Sequence, residues 1–403
     1  MLINEATQAY ALKHADDDVR MLALQGTKEA GVDLPLALQQ IAGRQTARRK
    51  LPSWAAVDGI GYPPHLNMEQ CSSEQTARYK AQVVGSLSEK GRFVDLTGGF
   101  GVDFYWMSQG FAERVYVEQD PDLCALVEAN MATLGLPCSF YRGNASVYLT
   151  EMEPASVIYM DPARRNEHGG RTYGIEDCSP NVLELLPMLK EKAHFIVLKL
   201  SPMLDWRKAV GDLGCVSEVH IVSVDNECKE LVLVLAPRQP ELQHLVCVNG
   251  GQVCDFIPTL GIKYSHLGNK TFPAVGIFKA SEDPLFLYEP NASVMKAGCF
   301  AELEERFSVS QVAPNSHLFL SPDEIGDFPG RKFQVQAVSS MNKRELKVAL
   351  ADIPQANVAV RNFPLRAEQL RQKLRLKDGG SVFIFATTMA DGAHQLFICR
   401  KIG

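Results

Sequence analysis

A glycine-rich segment, FVDLTGGFGVDFYW at residues 93–106, places the strongest constraint on the fold. Its apolar start is typical of a buried strand that ends on a carboxylate, Asp95, and three glycines follow at Gly98, Gly99 and Gly101. Glycine permits a sharp turn and lets a ligand approach the backbone closely. The segment therefore predicts a nucleotide-type binding turn between a first strand and a helix.

Strand and helix patterns alternate from residue 91 to about residue 237. This alternation predicts a mostly parallel sheet with helices on both faces, and the last two strands lie as close together as in a hairpin. The predicted fold class is α/β: a Rossmann-like seven-stranded domain between a helical N-terminal region and an α+β C-terminal region. The seven strands are expected at 92–96, 114–118, 138–143, 156–161, 194–200, 217–224 and 230–236.

Composition excludes several classes of protein. No apolar run approaches the ~18 residues of a membrane helix, and the N-terminal residues lack the pattern of a signal peptide. Ten cysteines are scattered without a CxxC pair, which argues against a zinc site and fits a reducing cytoplasm. We expect a cytoplasmic protein with no bound metal and no membrane contact, and nothing in the sequence indicates an obligate protein partner.

The charge is divided unevenly along the chain. The whole sequence has a net charge of -6, but residues 331–403 contain 13 Lys and Arg against 5 Asp and Glu, a net of +8. A basic block on an acidic protein is typical of a module that binds a polyanion. The alternative is an exposed amphipathic helix face, since RAEQLRQKLRLK at 366–377 spaces its charges in that way. A second basic cluster, at Arg44, Arg48, Arg49 and Lys50, is open to the same two interpretations.

Residues at the ends of three further strands complete a pattern with the glycine-rich turn. A dinucleotide site would need a third glycine where Phe104 stands. Instead, Glu118 ends the second strand, Asn144 follows the third, and Asp161 and Pro162 follow the fourth.

In this order, the motifs FVDLTGGFGVD, VEQDPDLCALVEANMATLGL, GNAS and DPARR resemble class I S-adenosylmethionine-dependent methyltransferases over about residues 72–237. The resemblance implies S-adenosyl-L-methionine as the cofactor. It also implies catalytic roles for Asp161, Pro162, Arg164 and Arg165. The cofactor-binding residues that it implies are Asp95, Thr97, Gly98, Gly99, Gly101, Glu118, Asn144 and Asp161.

The match is nearest to a bacterial group of such enzymes with a C-terminal THUMP-like domain, a type of module that binds RNA. The resemblance implies an RNA substrate bound through the basic C-terminal region. It also implies a small ferredoxin-like domain, placed at about 240–285. The implied division is 1–71 helical, 72–238 methyltransferase, 239–329 ferredoxin-like and 330–403 THUMP-like.

The segment after the fourth strand bears on the methylated atom. Amino-group methyltransferases carry (D/N)PP and an aromatic, whereas Ala163 and Arg164 follow Asp161-Pro162 here. Carbon-5 methylation needs a cysteine, and Cys178 is expected to begin a helix, while Ser201 stands where some uracil enzymes have theirs. We therefore expect direct transfer to nitrogen or oxygen, with a base nitrogen in RNA as the acceptor.

Two segments could form walls of the pocket, the loop 164–174 as a lid and the stretch 223–231. Either could equally be a surface loop without a role. Two other functions remain open: a binding module or sensor that keeps the cofactor fold without catalysis, and a methyltransferase for a protein or a small molecule.

Overall fold

The N-terminal region of the chain is helical. The computed structural model describes residues 3–87, 90–164, 174–257 and 284–402. Asn4, Asp18, Asp33 and Ser73 each cap a helix by accepting a backbone amide from its first turn. The six helices are α1 (Glu5–Lys13), α2 (Val19–Gln25), α3 (Leu34–Lys50), α4 (Pro52–Ala55), α5 (His65–Gln70) and α6 (Glu74–Ser86).

Strands and helices alternate in the next part of the chain, as the sequence predicts. The elements are β1 (Arg92–Asp95), α7 (Val102–Met107), β2 (Glu113–Glu118), α8 (Pro121–Thr133), β3 (Ser139–Arg142), α9 (Ala145–Glu151), β4 (Ala155–Met160), β5 (Ala163–Arg164), a 3₁₀ turn (Ile175–Asp177), β6 (Cys178–Ser179), α10 (Val182–Lys192), β7 (Ala193–Leu200), α11 (Trp206–Leu213), β8 (Val216–Val224) and β9 (Glu227–Leu235).

Seven of these strands form one sheet in the order β3-β2-β1-β4-β7-β9-β8. The pairs from β3 to β7 are parallel, and β9 runs antiparallel to β7. All six residues of β4 are buried, as expected for a central strand covered on both faces. Asp225 and Asn226 both have positive φ, so they make the tight turn of the predicted β8–β9 hairpin. The predicted fold class is confirmed.

The remaining elements build a second sheet and extend the first. β10 (His244–Asn249) lies next to β8, and β11 (Gln252–Phe256) pairs with β10. The others are β12 (Phe286–Pro290), α12 (Ala292–Ala297), α13 (Phe300–Phe307), β13 (Ser310–Gln311), β14 (Phe319–Ser321), β15 (Gly330–Ser340), α14 (Lys343–Ala349), β16 (Asn357–Arg361), α15 (Ala367–Leu374), β17 (Val382–Thr388) and β18 (His394–Ile402).

The second sheet has the order β13-β14-β12-β15-β18-β17-β16. One apolar cluster includes Phe333, Phe385 and Phe397, and another joins Ile384 and Leu396 to Leu346 of α14 and Leu370 of α15. Phe385 and Ile384 are adjacent in β17, so the clusters cover opposite faces of the sheet. The predicted C-terminal pair of strands is present as antiparallel β17 and β18.

The chain forms two compact units. One contains residues 1–220 and 230–242, and the other contains residues 221–229 and 243–403. Within the described ranges, no helix combines the length and the apolar character needed to cross a membrane. The four-part division of the sequence stays a prediction.

Candidate active site

The glycine-rich turn is fixed by hydrogen bonds to the two strands beside it. Asp95, at the end of β1, is only 1% exposed and accepts the amide of Thr97 at 2.9 Å. The Gly98 amide donates to the carbonyl of Val117 at 2.9 Å, and the Gly99 amide donates to Glu118 Oε2 at 2.9 Å. The turn and the end of β2 therefore form one rigid edge.

At Gly98 and Gly101, a side chain larger than that of glycine would collide with neighbouring residues. A Cβ at Gly98 would lie 2.1 Å from Cε2 of Tyr116, whose hydroxyl donates to the carbonyl of Gly99 at 2.5 Å. Gly101 has φ of +77°, and a Cβ there would lie 2.8 Å from Cγ1 of Val127. The glycine-rich turn therefore packs closely against β2 and α8.

The loops after the third and fourth strands lie at the same edge of the sheet. The Gly143 amide donates to the carbonyl of Glu118 at 2.9 Å, and the next residue, Asn144, is exposed and caps α9 by accepting the Ser146 amide at 2.8 Å. The Asp161 amide donates to Thr97 Oγ1 at 2.6 Å, which ties the loop after β4 to the glycine-rich turn. All the predicted cofactor-binding residues therefore lie at one carboxyl edge.

Asp161 has a partner that the sequence did not predict. Lys199, near the end of β7, donates to Asp161 Oδ2 at 2.5 Å. The Asp161 side chain is 37% exposed and that of Lys199 is 11% exposed. The pair therefore meets solvent mainly through its carboxylate, with the ammonium behind it.

A buried charged cluster lies beside this pair. Lys80 of α6 is fully buried, lies 3.2 Å from Asp103 Oδ1 and forms an ion pair with Glu230. Ser72 and Tyr159 each donate to Asp103 Oδ2 at 2.7 Å. These side-chain contacts join α6, α7, β4 and β9. Removing one charged partner would leave a buried charge unpaired, which is energetically costly.

The environments of the carboxyl groups shift their pKa values in different directions. Burial raises the pKa of Asp95 well above its ordinary value. Burial alone would also raise the pKa of Asp103, but Lys80, Lys199 and two hydroxyl donors hold it below the ordinary value. The protein around Asp161 excludes enough water to raise its pKa, and Lys199 opposes that shift.

The predicted site residues that follow Asp161 are described only in part. Pro162 is buried, and Arg164 lies in β5, where its backbone pairs with that of Cys178 in β6. Arg165 and most of the predicted lid, residues 165–173, lie outside the described residues. Cys178 was expected to begin a helix, which is wrong: it is buried in a two-residue strand, and α10 starts at Val182.

The basic cluster in α3 has local partners. Arg44 and Arg48 form ion pairs with Asp58 and Asp16, and Lys50 donates to the carbonyls of Met68 and Glu69. These contacts favour the interpretation of the cluster as a charged helix end.

Comparisons with known proteins agree with this architecture. A THUMP domain-like family matches residues 330–401, and a ferredoxin-like domain family matches residues 286–329. The solved structure of a "putative methyltransferase" from Porphyromonas gingivalis W83 is similar over 100% of both chains, with 29% identity and a TM-score of 0.83. The chain has a methyltransferase fold and a THUMP-like C-terminal domain. The resemblance seen in the sequence motifs is confirmed.

Two further solved structures are similar to part of this chain. A "putative class I S-adenosylmethionine-dependent methyltransferase" from Listeria monocytogenes has 10% identity, covers 61% of this chain and 94% of its own, and has a TM-score of 0.39. A "putative RNA methyltransferase" from Pyrococcus horikoshii has 14% identity, covers 47% and 97%, and has a TM-score of 0.33. No curated protein sequence matches the chain. The ferredoxin-like match begins after the stretch of about 240–285 in which it was expected and lies inside 239–329.

Two lysines of the site, Lys80 and Lys199, are not predicted by the sequence motifs. Lys80 lies on the buried stripe of α6 with Thr76, Ala77, Val83 and Val84, and a lysine on an apolar helix face is a recognisable signal. Lys199 stands among apolar residues at the end of a strand. Glu230 lies in the stretch 223–231, a predicted candidate wall of the pocket, but the sequence pattern assigns no role to Glu230 itself.

Proposed function

We propose that this chain is an S-adenosylmethionine-dependent methyltransferase that modifies RNA. The observation that carries the proposal is the carboxyl edge of the sheet. There, Asp95, Glu118 and Asp161 surround a glycine-rich turn, in which a Cβ at Gly98 would collide with the Tyr116 ring. Parallel α/β sheets bind their ligands at this edge.

The chemistry of these side chains suits the proposed cofactor. S-Adenosylmethionine has a sulfonium and an ammonium but no phosphate, so carboxylates fit it better than they fit a dinucleotide. When bound, it supplies a methyl group on its sulfonium sulfur. We assign Asp95, Thr97, Gly98, Gly99 and Gly101 to the methionine side of the site. Glu118 is assigned to the ribose hydroxyls, Asn144 to the adenine edge and Asp161 to the methyl end.

The proposed acceptor is RNA because of the C-terminal domain. Cationic side chains are exposed on α14, at both ends of α15 and just after it, and on β18, so they could contact phosphates without breaking the fold. These exposed cations include Lys343, Arg344, Lys347, Arg366, Lys373, Arg375, Lys377, Arg400 and Lys401.

We assign the transfer step to the segment after β4. Asp161 and Pro162 would shape the acceptor subsite, and Arg164 and Arg165 would contact the anionic substrate. In-line attack on a methyl group is mainly a matter of positioning, so few catalytic side chains are required. Direct transfer to nitrogen or to oxygen is compatible with this site.

The test is transfer of radiolabelled methyl from S-adenosylmethionine into total RNA taken from cells that lack this protein. We expect the wild-type chain to label the RNA and Asp161→Ala to lose the label. Asp58→Ala is a matched control, since its carboxylate is exposed and pairs with Arg44 in α3. Calorimetry on all three proteins separates loss of cofactor binding from loss of transfer.

Cofactor binding without label in RNA would refute an RNA substrate. Label found instead in a protein or metabolite fraction would identify the other kind of methyltransferase. No label in any fraction would favour the sensor.

A further inference from the structure

The register between β4 and β7 places Asp161 and Lys199 side by side at the end of the site where the methyl acceptor would bind. Met160 of β4 is opposite Leu198 of β7, so the next residues, Asp161 and Lys199, come side by side at the carboxyl edge. Their hydrogen bond follows from this placement. Because Asp161 is the more exposed of the two, a substrate group would meet the carboxylate first, with the Lys199 ammonium directly behind it.

The charges behind this pair keep Lys199 protonated. Burial lowers the pKa of Lys199, but Asp161, Asp103 and Glu230 outweigh it and raise the pKa above the ordinary value. Lys80 already forms ion pairs with Asp103 and Glu230. Lys199 therefore directs a full positive charge at the acceptor end, and Asp161 is its hydrogen-bonded partner.

A fixed positive charge discriminates between acceptor atoms. A neutral amine that attacks a methyl group gains positive charge on its nitrogen, which the Lys199 ammonium would oppose. A hydroxyl oxygen gains negative charge as its proton leaves, which the same ammonium would stabilise. A hydroxyl also needs a base within hydrogen-bond reach, and Asp161 supplies a carboxylate.

We propose that the acceptor atom is a ribose 2′-hydroxyl oxygen of RNA, with Asp161 as the proton acceptor and Lys199 as the group that stabilises the developing oxyanion. The O–H bond breaks and its proton passes to Asp161 while an O–CH₃ bond forms. The S–CH₃ bond of the sulfonium donor breaks, and its electron pair stays on sulfur. This inference rests on the proposed function and departs from the base nitrogen expected from the sequence.

The residues after Asp161 support a ribose over a base. Amino-group enzymes place a proline and an aromatic there to hold a base taken out of its stack. This chain has Ala163 and Arg164, and both are in a short strand paired with β6. A 2′-hydroxyl is presented on the outside of the RNA backbone, where no stacking side chain is needed.

The first experiment identifies the methylated atom. RNA labelled by the wild-type chain is hydrolysed with alkali, which cleaves only next to a free 2′-hydroxyl. Label in alkali-stable dinucleotides is the expected result. Label in mononucleotides means that the methyl group is on a base, whether on an amino group or on a ring nitrogen. That result would overturn the inference while the proposed function stands. Absence of label in RNA would instead refute the proposed function.

The second experiment tests the role of Lys199. We expect Lys199→Met to lower kcat by about 100-fold and Lys199→Arg, which keeps the charge, to lower it much less. Lys13→Met is the control, because it removes an exposed lysine that pairs with Glu29. Equal losses in the Met and Arg variants, with cofactor binding intact in both, would overturn the electrostatic role.

The pH dependence separates this role from a structural one. Among the described residues, the titratable groups that act on Asp161 include Lys199 on β7, Lys80 on α6, Asp103 on α7, Asp95 on β1 and Tyr159 on β4. Removing the Lys199 ammonium should raise the pKa of Asp161 further. The acid limb of the pH profile of kcat should then move to higher pH in Lys199→Met. In the cofactor-free protein, the ¹³C NMR resonance of the Asp161 carboxyl carbon should also titrate at higher pH. An unmoved limb and resonance would contradict the assignment.

Discussion

At the scale of single residues, Lys80 shows how the site is supported. Its ammonium is wholly inside the protein, between carboxylates that come from α7 and β9. Glu230 is 150 positions away in sequence, so the pairing depends on the strand order of the finished sheet. The sequence marks Lys80 as unusual on an apolar helix face, but its partners could not be predicted without that order.

Lys80→Met should destabilise the fold by about 3–5 kcal/mol at neutral pH, because it leaves buried carboxylates without a counter-ion. The depressed pKa of Asp103 stabilises the wild-type protein above the unfolded pKa, and this stabilisation is lost as pH falls through the folded pKa. The difference between variant and wild type should therefore shrink in acid. Urea unfolding at pH 7 and at about pH 3, below the ordinary pKa of an aspartate, measures this difference. The control Lys13→Met is expected to change stability by less than about 1 kcal/mol. Equal differences at both pH values would contradict this explanation.

The raised pKa of Asp95 predicts that ligand binding depends on pH. Burial raises its pKa, so a cationic ligand must displace a proton when the pH is below that value. We expect the affinity for S-adenosylmethionine to fall as pH is lowered, beginning at a higher pH than an ordinary carboxyl group would give. Calorimetry across a pH series measures this fall. Asp95→Asn should bind about tenfold or more weakly at high pH, with a flatter pH dependence. An unchanged profile in the variant would show that another group titrates.

At the scale of elements, the glycine-rich turn is the part that sequence predicts best. Local rules determine it, because a strand pattern, a carboxylate and closely spaced glycines specify a sharp turn before a helix. The seven strands follow from their apolar runs for the same reason. By contrast, the pairing of Asp161 with Lys199 depends on the register of β4 against β7, which no local pattern specifies.

Gly98→Ala tests the turn. Its Cβ would collide with the Tyr116 ring, so we expect a loss of about 1–3 kcal/mol of stability and a loss of cofactor affinity. Gly85→Ala in α6 is the control, since a Cβ there meets nothing within 4 Å and alanine favours helix. Thermal unfolding and calorimetry provide the two readouts. Normal binding by Gly98→Ala would mean that Tyr116 can move without harm.

At the scale of the whole molecule, the uneven charge makes a prediction about RNA binding. Lys343→Gln with Arg344→Gln removes two exposed cations from α14. We expect weaker binding and a salt dependence that is shallower by about 0.7 in log–log slope for each phosphate that the variant no longer neutralises. Lys13→Gln with Lys28→Gln, two exposed cations near the N-terminus, should leave the slope unchanged. The same slope in both pairs would contradict docking through α14.

The turn between β8 and β9 has one more consequence. Its tip, residues 221–229, belongs to the compact unit that contains the THUMP-like domain, although the residues on both sides belong to the other. Asn226 bonds to Asn249 and Ala292, and the Cys228 thiol donates to the carbonyl of Ala292. A genetic exchange that joined the first 242 residues to a different C-terminal half would separate these partners. A working hybrid must therefore inherit the tip and the C-terminal unit from the same parent.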